Sequence, residues 1–363
     1  MTRYLSARDL DWTLLIISLV ICAVGVLQIY SATRGTIWQD AWWKQIIYIG
    51  AGLVLMWLTV AIDYQTLMNH IYLMYGLSVV SLLGVLLIGR QVFGGRRWIA
   101  VPGGFHLQVS EFVKLVIILL VARFLTELKT EDLKGRDMAK IAGLVVVPMA
   151  LVMKQPDLGT ALTYLPILAV GMFLAGMRRK YLIAIAVVVL LVLPAGFSVL
   201  KDYQKARLVS FLDPDRDPRG SGYQVIQSKI AVGAGGMWGK GVTKGSQTQL
   251  RFLPVPHTDF IFSAFAEEHG FVGVIFSLGL YFLVLMQVVQ NAQMSTDRAG
   301  MYICMGVAAL LLFHVLVNVG MVVGRMPVTG IPLPFMSAGG SSVLASFLAL
   351  GLVNNVRLRR FVN

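Results

Sequence analysis

The stretch 253–270, LPVPHTDFIFSAFAEEHG, decides how the chain is read. Two prolines lead into the triplet His257-Thr258-Asp259, a long apolar run follows, and Glu267 and Glu268 lie inside that run. Ionisable groups are costly in an apolar helix, so they face protein or a wet cavity. Pro254 and Pro256 have a fixed φ and no N–H, which predicts an extended approach. Thr258 or Asp259 can cap the helix start. Asp259 is also a carboxylate at a half-dry boundary, where a general base for a lipid-linked substrate belongs, its pKa set by partial burial. Helix rise puts Glu267 and Glu268 roughly 12–14 Å deeper. There they read as structural or coupling groups that pair with polar groups of neighbouring helices.

Outward from this stretch the chain is built of similar apolar runs. Its 363 residues are 57% hydrophobic and 13% charged, and runs of about 20 apolar residues span a bilayer as helices. The expectation is an all-α polytopic membrane protein, because uninterrupted apolar runs are not barrel strands. Ten spans are predicted, at 12–31, 43–62, 71–89, 109–127, 139–154, 158–176, 180–200, 261–290, 300–322 and 341–357. The first is read as a retained helix, being too long for a signal-peptide core and lacking a small-residue cleavage site. The whole chain, 1–363, is read as one transmembrane domain, with residues 201–260 as a large loop between helices 7 and 8. Cys22 and Cys304 lie inside apolar runs, where free cysteines pack as small hydrophobes. With both ends cytoplasmic, the inner segments hold thirteen Lys and Arg against seven in the short outer ones, the expected bias.

Nine further basic residues lie in 201–260. A basic outer face suits lipid headgroups, or an anionic ligand such as a lipid-linked phosphate. Nucleic acid is a poor fit, since the basic residues are scattered and form no binding motif. The Gly-rich IAVGAGGMWGKG is not a phosphate loop, because Lys240 is followed by Gly241 rather than Ser or Thr and no strand precedes it.

Three more places carry charge at helix ends. In QVSEFVKL, Glu111 and Lys114 are three residues apart on one helix face; they either neutralise each other, or Glu111 positions Lys114 to hold an anion. In MKQPDLGTAL, Asp157 is a natural N-cap. In GRMPVTGIPLPFMSAGGSS, Arg325 precedes a proline-stiffened connection, and a Gly-Ser helix start serves anion binding or close helix packing.

These motifs, in this order along nearly the whole chain, resemble the SEDS family of peptidoglycan glycosyltransferases. GSQTQLRFLP and PVTGIPLPF are more similar to its rod-shape members than to its division members. The resemblance implies ten helices, cytoplasmic termini and a large extracytoplasmic loop between helices 7 and 8. It implies polymerisation of lipid II on the outer face of the bacterial cytoplasmic membrane. It carries an essential acid to Asp259, and functional positions to Glu111, Lys114 and Asp157. It also implies a class B penicillin-binding protein (transpeptidase) and elongation-machinery proteins as partners. Val109, Ala338 and Arg325 depart from the usual family residues; none touches the acids.

The expected chemistry is an inverting transfer from an undecaprenyl-pyrophosphate-linked donor to the GlcNAc 4-hydroxyl of lipid II. Such a step needs a base on the hydroxyl and electrophilic help for the leaving group. Asp259 is the expected base, with His257 beside it in the same triplet. Lys114 and the outer arginines Arg96, Arg97 or Arg325 are the expected binders of pyrophosphate. Asp259 is alternatively the ligand of a divalent cation, Mg²⁺ or Mn²⁺; no organic cofactor is expected. A lipid II flippase or other transporter, and a non-catalytic scaffold, are the competing functions.

Overall fold

Inside a bilayer a helix satisfies its backbone polar groups within one segment, and the apolar runs fold accordingly. The computed structural model describes residues 9–92, 95–101, 105–128, 133–184, 187, 202–220 and 222–360. The chain forms α1 (Trp12–Thr33), α2 (Ala41–Ala61), a short α3 (Tyr64–Asn69) and α4 (Ile71–Ile88). Strands β1 (Arg90–Val92), β2 (Gly95–Val101) and β3 (Phe105–Gln108) follow. Next come α5 (Val109–Thr126), α6 (Gly135–Lys154), α7 (Leu158–Leu162) and α8 (Tyr164–Leu174). Residues 179–184 are helical, and the rest of the seventh predicted span lies almost wholly outside the described residues. The remaining elements are α9 (Asp202–Leu212), α10 (Tyr223–Ala234), α11 (Ser246–Gln249), α12 (Ile261–Gln293), α13 (Arg298–Val322) and α14 (Gly340–Arg359).

Among the described residues, six helices (α1, α2, α4, α12, α13 and α14) are long and apolar enough to cross a membrane. The protein is a polytopic, mostly helical membrane protein. The other predicted spans, the seventh aside, also coincide with helices to within a few residues, although span 158–176 is two helices meeting at Thr163. Helices α2 and α4 turn Trp57, Leu58, Leu73, Leu77 and Val80 outward, as lipid-facing helices do. Helix α14 is buried along most of its length and packs on α2, α5 and α13. Small residues allow that approach: a Cβ at Gly340 would strike the Tyr48 ring, and one at Gly52 would strike Phe347. The Gly-Ser start of α14 is thus filled by protein, as close helix packing requires.

Three features differ from expectation. The chain is not purely helical: β1, β2 and β3 form an antiparallel sheet in that order. The approach to Asp259 is not extended: residues 254–260 run through bends and turns, and Val255 adopts φ 42°. The eighth span is not one continuous helix. Gly270 breaks α12 with φ 66° and ψ −168°.

The break is closed by the Gly-rich stretch 235–241. Phe271 and Val272 donate their N–H groups to the Gly236 and Met237 carbonyls, at 2.9 and 3.1 Å. The Glu267 and Glu268 carbonyls accept from Lys240 and Gly241, at 3.0 and 2.9 Å. A Cβ at Gly239 would collide with the Glu268 carbonyl, and one at Gly270 with the Gly239 nitrogen. The glycines therefore serve close backbone contact.

Glu267 is fully buried and does not pair with a neighbouring spanning helix; it anchors the loop. It accepts from Lys240 Nζ at 3.0 Å, Gln247 N at 2.9 Å, and Thr248 N and Oγ1 at 3.1 and 3.0 Å. Glu268 does pair with a neighbouring helix, accepting from Ser31 Oγ at 2.5 Å and Gln28 Nε2 at 3.3 Å on α1.

On the opposite end, Asp11 caps α1 through Leu14 N and meets Arg357 at 3.1 Å and Asn291 Nδ2 at 2.6 Å. That cluster joins the start of α1 to the ends of α12 and α14.

Glu267→Ala is expected to cost on the order of 2–4 kcal/mol, since it strips several donors of one buried acceptor. Gly270→Ala is expected to cost about 1–3 kcal/mol through its positive φ. Thermal unfolding of the detergent-solubilised protein checks both.

Candidate active site

Asp259 lies just before α12, and the triplet 257–259 is held through its backbone. The His257 carbonyl accepts from Ala338 N at 2.9 Å. The Thr258 carbonyl accepts from Ser337 Oγ at 2.8 Å, and the Asp259 carbonyl from Asn318 Nδ2 at 3.0 Å. The partner segment, 326–339, is irregular and rich in proline, so its own carbonyls need donors from elsewhere. Ile331 O accepts from Asn318 Nδ2 at 2.8 Å, Pro332 O from His314 Nδ1 at 3.0 Å, and Pro334 O from Tyr281 at 2.7 Å. Gln45 Nε2 donates to Ser337 O at 3.0 Å. Gly330 sits against the acid itself: a Cβ there would be 3.3 Å from Asp259 Oδ2.

The charged surroundings come from three further elements. Asp157 caps α7, accepting from Thr160 N at 3.2 Å. It also accepts from Gln108 Nε2 at 2.7 Å and lies 3.7 Å from Arg97 on β2. Arg207, on α9, donates to Thr329 O at 3.3 Å. Burial pushes the Asp259 carboxyl up to about 6, the charges of Arg207 and Arg97 oppose that rise, and the charge of Asp157 adds to it. Burial pushes His257 down to about 4, so it is neutral near pH 7; its ring lies 5.7 Å from Trp38. Among the described residues, Asn318 Oδ1, Thr329 Oγ1 and Arg97 Nε are buried without a partner. An acceptor, a hydroxyl and a cationic donor around one carboxylate suit a polar ligand.

Glu111 and Lys114 form a separate cluster. Both are buried, with Lys114 Nζ 2.7 Å from Glu111 Oε2 and 3.3 Å from His314 Nε2. The Pro332 carbonyl can only accept, so His314 carries its proton on Nδ1 and receives the Lys114 hydrogen bond on Nε2. The cavity beside them measures about 10 Å³, room for about one water and too small for a pyrophosphate. In this conformation the pair reaches the Asp259 region through His314 and segment 329–334. Neighbours on a strand point to opposite sides: Arg97 is half-buried at Asp157, whereas Arg96 is exposed. Arg325 is exposed beyond the end of α13.

Among the described residues no three His, Cys, Asp or Glu gather as a metal cluster, and the charges of Arg207 and Arg97 act on Asp259. Arg207, Gln108, His314, Asn318 and Ser337 join the site as well, none of them expected there from the sequence. Of these, His314 and Asn318 carried a signal: two polar residues four apart in an apolar run.

Fold and site together define a polytopic membrane enzyme with an acid–guanidinium centre where a helix begins. The family model FTSW_RODA_SPOVE, "Cell cycle protein", matches residues 11–360, and the chain belongs to this family. Similar proteins include "Peptidoglycan glycosyltransferase RodA" of Treponema pallidum, 34% identical over 99% of this chain and 100% of that protein. "Peptidoglycan glycosyltransferase MrdB" of Escherichia coli K12 is 36% identical over 97% of this chain and 94% of its own length. A solved chain from "Structural coordination of polymerization and crosslinking by a peptidoglycan synthase complex" has a TM-score of 0.84 at 36% identity, covering 98% of this chain and 99% of that one. RodA of Thermus thermophilus, a rod shape determining protein, has a TM-score of 0.72 at 30% identity, covering 97% and 98%.

A carboxyl held above its ordinary value favours the folded state most when protonated. That contribution is full below the unfolded value and is lost as pH rises through about 6. Asp259→Asn, which removes the buried charge, is therefore expected to stabilise the protein at pH 7.5 by about 1–2 kcal/mol. The same variant at pH 4.5 is expected to show little gain; thermal unfolding at both pH values checks the pair.

Proposed function

We infer that the protein is a peptidoglycan glycosyltransferase that polymerises lipid II, with Asp259 as its general base. One observation carries this: a half-buried carboxylate, pushed up to about 6, stands under the influence of two guanidinium groups at the start of a membrane helix. The acceptor's GlcNAc 4-hydroxyl attacks the anomeric carbon of the undecaprenyl-pyrophosphate-linked donor. The new C–O bond forms as the bond to pyrophosphate breaks, the hydroxyl proton passes to Asp259, and the anomeric centre inverts. Arg97 and Arg207 take the charge that develops on the leaving pyrophosphate. Asp157 holds Arg97, and the buried Lys114–Glu111 pair supports the 329–334 segment through His314.

The site faces the extracytoplasmic side of the bacterial cytoplasmic membrane, with both termini in the cytoplasm. The strands are made during cell elongation, beside a class B penicillin-binding protein that crosslinks them. What supports the partnership is the likeness, over nearly the full chain, to a component of a peptidoglycan synthase complex.

Polymerisation of purified lipid II in liposomes, with and without the co-expressed penicillin-binding protein, tests the assignment. Asp259→Asn is expected to lower the rate by about a hundredfold or more. Arg97→Gln and Arg207→Gln are each expected to lower it by about tenfold to a hundredfold. The wild-type rate is expected to rise with pH up to about 6 and level off above it, because only the carboxylate accepts a proton. An Asp259→Asn protein that polymerises normally would sink the assignment, and transbilayer movement of lipid II without polymer would assign a transporter instead.

A further inference from the structure

Three consecutive carbonyls, those of His257, Thr258 and Asp259, are each gripped by a donor from outside their own segment: Ala338 N, Ser337 Oγ and Asn318 Nδ2. Residues that approach a reacting centre are commonly held by side-chain geometry; here the main chain is held instead. Asn318 is the hinge pin of this arrangement. It is fully buried, and its one Nδ2 bridges Asp259 O on one segment and Ile331 O on the other. Turned over, the amide would set its oxygen against two carbonyls, so its orientation is fixed. Ser337 acts in the same sense, receiving Leu333 N at 2.8 Å while donating to Thr258 O. Through these bonds Gly330 is kept against the Asp259 carboxylate and Asp259 is kept out of bulk water.

We propose that Asn318 is a positioning residue of the transferase, with Ser337 as its second: they lock the backbone of residues 257–259 to segment 331–338 and so fix where the Asp259 carboxylate stands. The proposal rests on Asp259 being the base. Asn318 touches no substrate in this role; it acts through Asp259. A displacement of about 1 Å at a reacting group costs up to about a hundredfold in rate, which is the scale expected when the pin is removed. A carboxylate freed from the clamp gains water and titrates nearer to an ordinary aspartate. The charged groups acting on it, Arg97 from β2, Arg207 from α9 and Asp157 from α7, remain in place.

The test is the pH–rate profile of lipid II polymerisation by the full-length protein in liposomes, together with kcat, KM and the fraction folded by size exclusion. The variants are Asn318→Ala, Asn318→Leu and Ser337→Ala. Asn318→Leu has nearly the size of the native residue and lacks its donors. For Asn318→Ala and Asn318→Leu alike, kcat is expected to fall by about tenfold to a hundredfold. KM for lipid II is expected to change by less than about threefold. The acid limb is expected to move from about 6 toward about 4. Ser337→Ala is expected to move the limb in the same direction by a smaller amount. If Asn318→Leu keeps the native rate and limb, the residue only fills space and the proposal fails. If Asn318→Ala does not fold, Ser337→Ala decides: folded protein with an unmoved limb overturns the proposal, and so does loss of fold in both. A wild-type profile flat between pH 5 and 7 removes Asp259 as base and takes this proposal with it. A normal wild-type limb with unmoved variant limbs removes the proposal alone.

Discussion

A backbone that leaves helical geometry within a membrane protein must find new partners for its N–H and C=O groups, because lipid offers none. Two irregular stretches of this chain, the 254–260 approach and the 326–339 connection, meet that demand largely by means of each other and of side chains from the helices around them. The proline-rich connection has few N–H groups to give, so Asn318, His314, Tyr281 and Gln45 supply donors from α13, α12 and α2. The position of the acidic residue follows from this exchange. Asp259 stands where it does because its neighbours' carbonyls, and its own, are already bound.

Buried charge obeys the same economy. Among the described residues, Lys114 has Glu111 and His314, Glu267 has Lys240 and the α11 start, and Asp11 has Arg357 and Asn291. The Asp259 surroundings differ. Its carboxylate is influenced by the guanidinium groups of Arg207 and Arg97, and Arg97 is itself 3.7 Å from Asp157. Unspent hydrogen-bonding capacity at Asn318, Thr329 and Arg97 collects there as well. Gln28 Oε1 and Gln247 Oε1, beside Glu268 and Glu267, are also without a partner; what sets the Asp259 centre apart is that an acceptor, a hydroxyl and a guanidinium gather around one acid.

Local chemistry was legible in the sequence; long-range encounter was not. Helix positions followed from apolar run length, and the Asp157 cap followed from a single Asp before a helix. Gly94-Gly95 and Pro102-Gly103-Gly104 were turn signals in the sequence, and only the dominance of the apolar runs hid the strands beside them. Gly270 gave no warning, since glycine is frequent within membrane helices. Arg207 stood among nine basic residues of one loop, and nothing local separates it from the others. Its bond to Thr329 O arises from folding 122 positions together. Glu267 was legible as a paired group, but its partner in the Gly-rich loop was not.

The break at Gly270 divides α12 into two mechanical bodies. Above it, residues 261–268 are wholly buried. Below it, Phe271, Val272, Ile275, Phe276, Phe282 and Leu283 are exposed, and by helix rise residues 271–293 extend about 35 Å, enough to cross the hydrocarbon unaided. A bilayer that thins or thickens acts on a spanning helix through its tilt. At this joint the freed polar groups are bonded to the loop 236–241, so a change of tilt in the lower body would reach residues 261–268 through hydrogen bonds to one loop and not through a continuous helix.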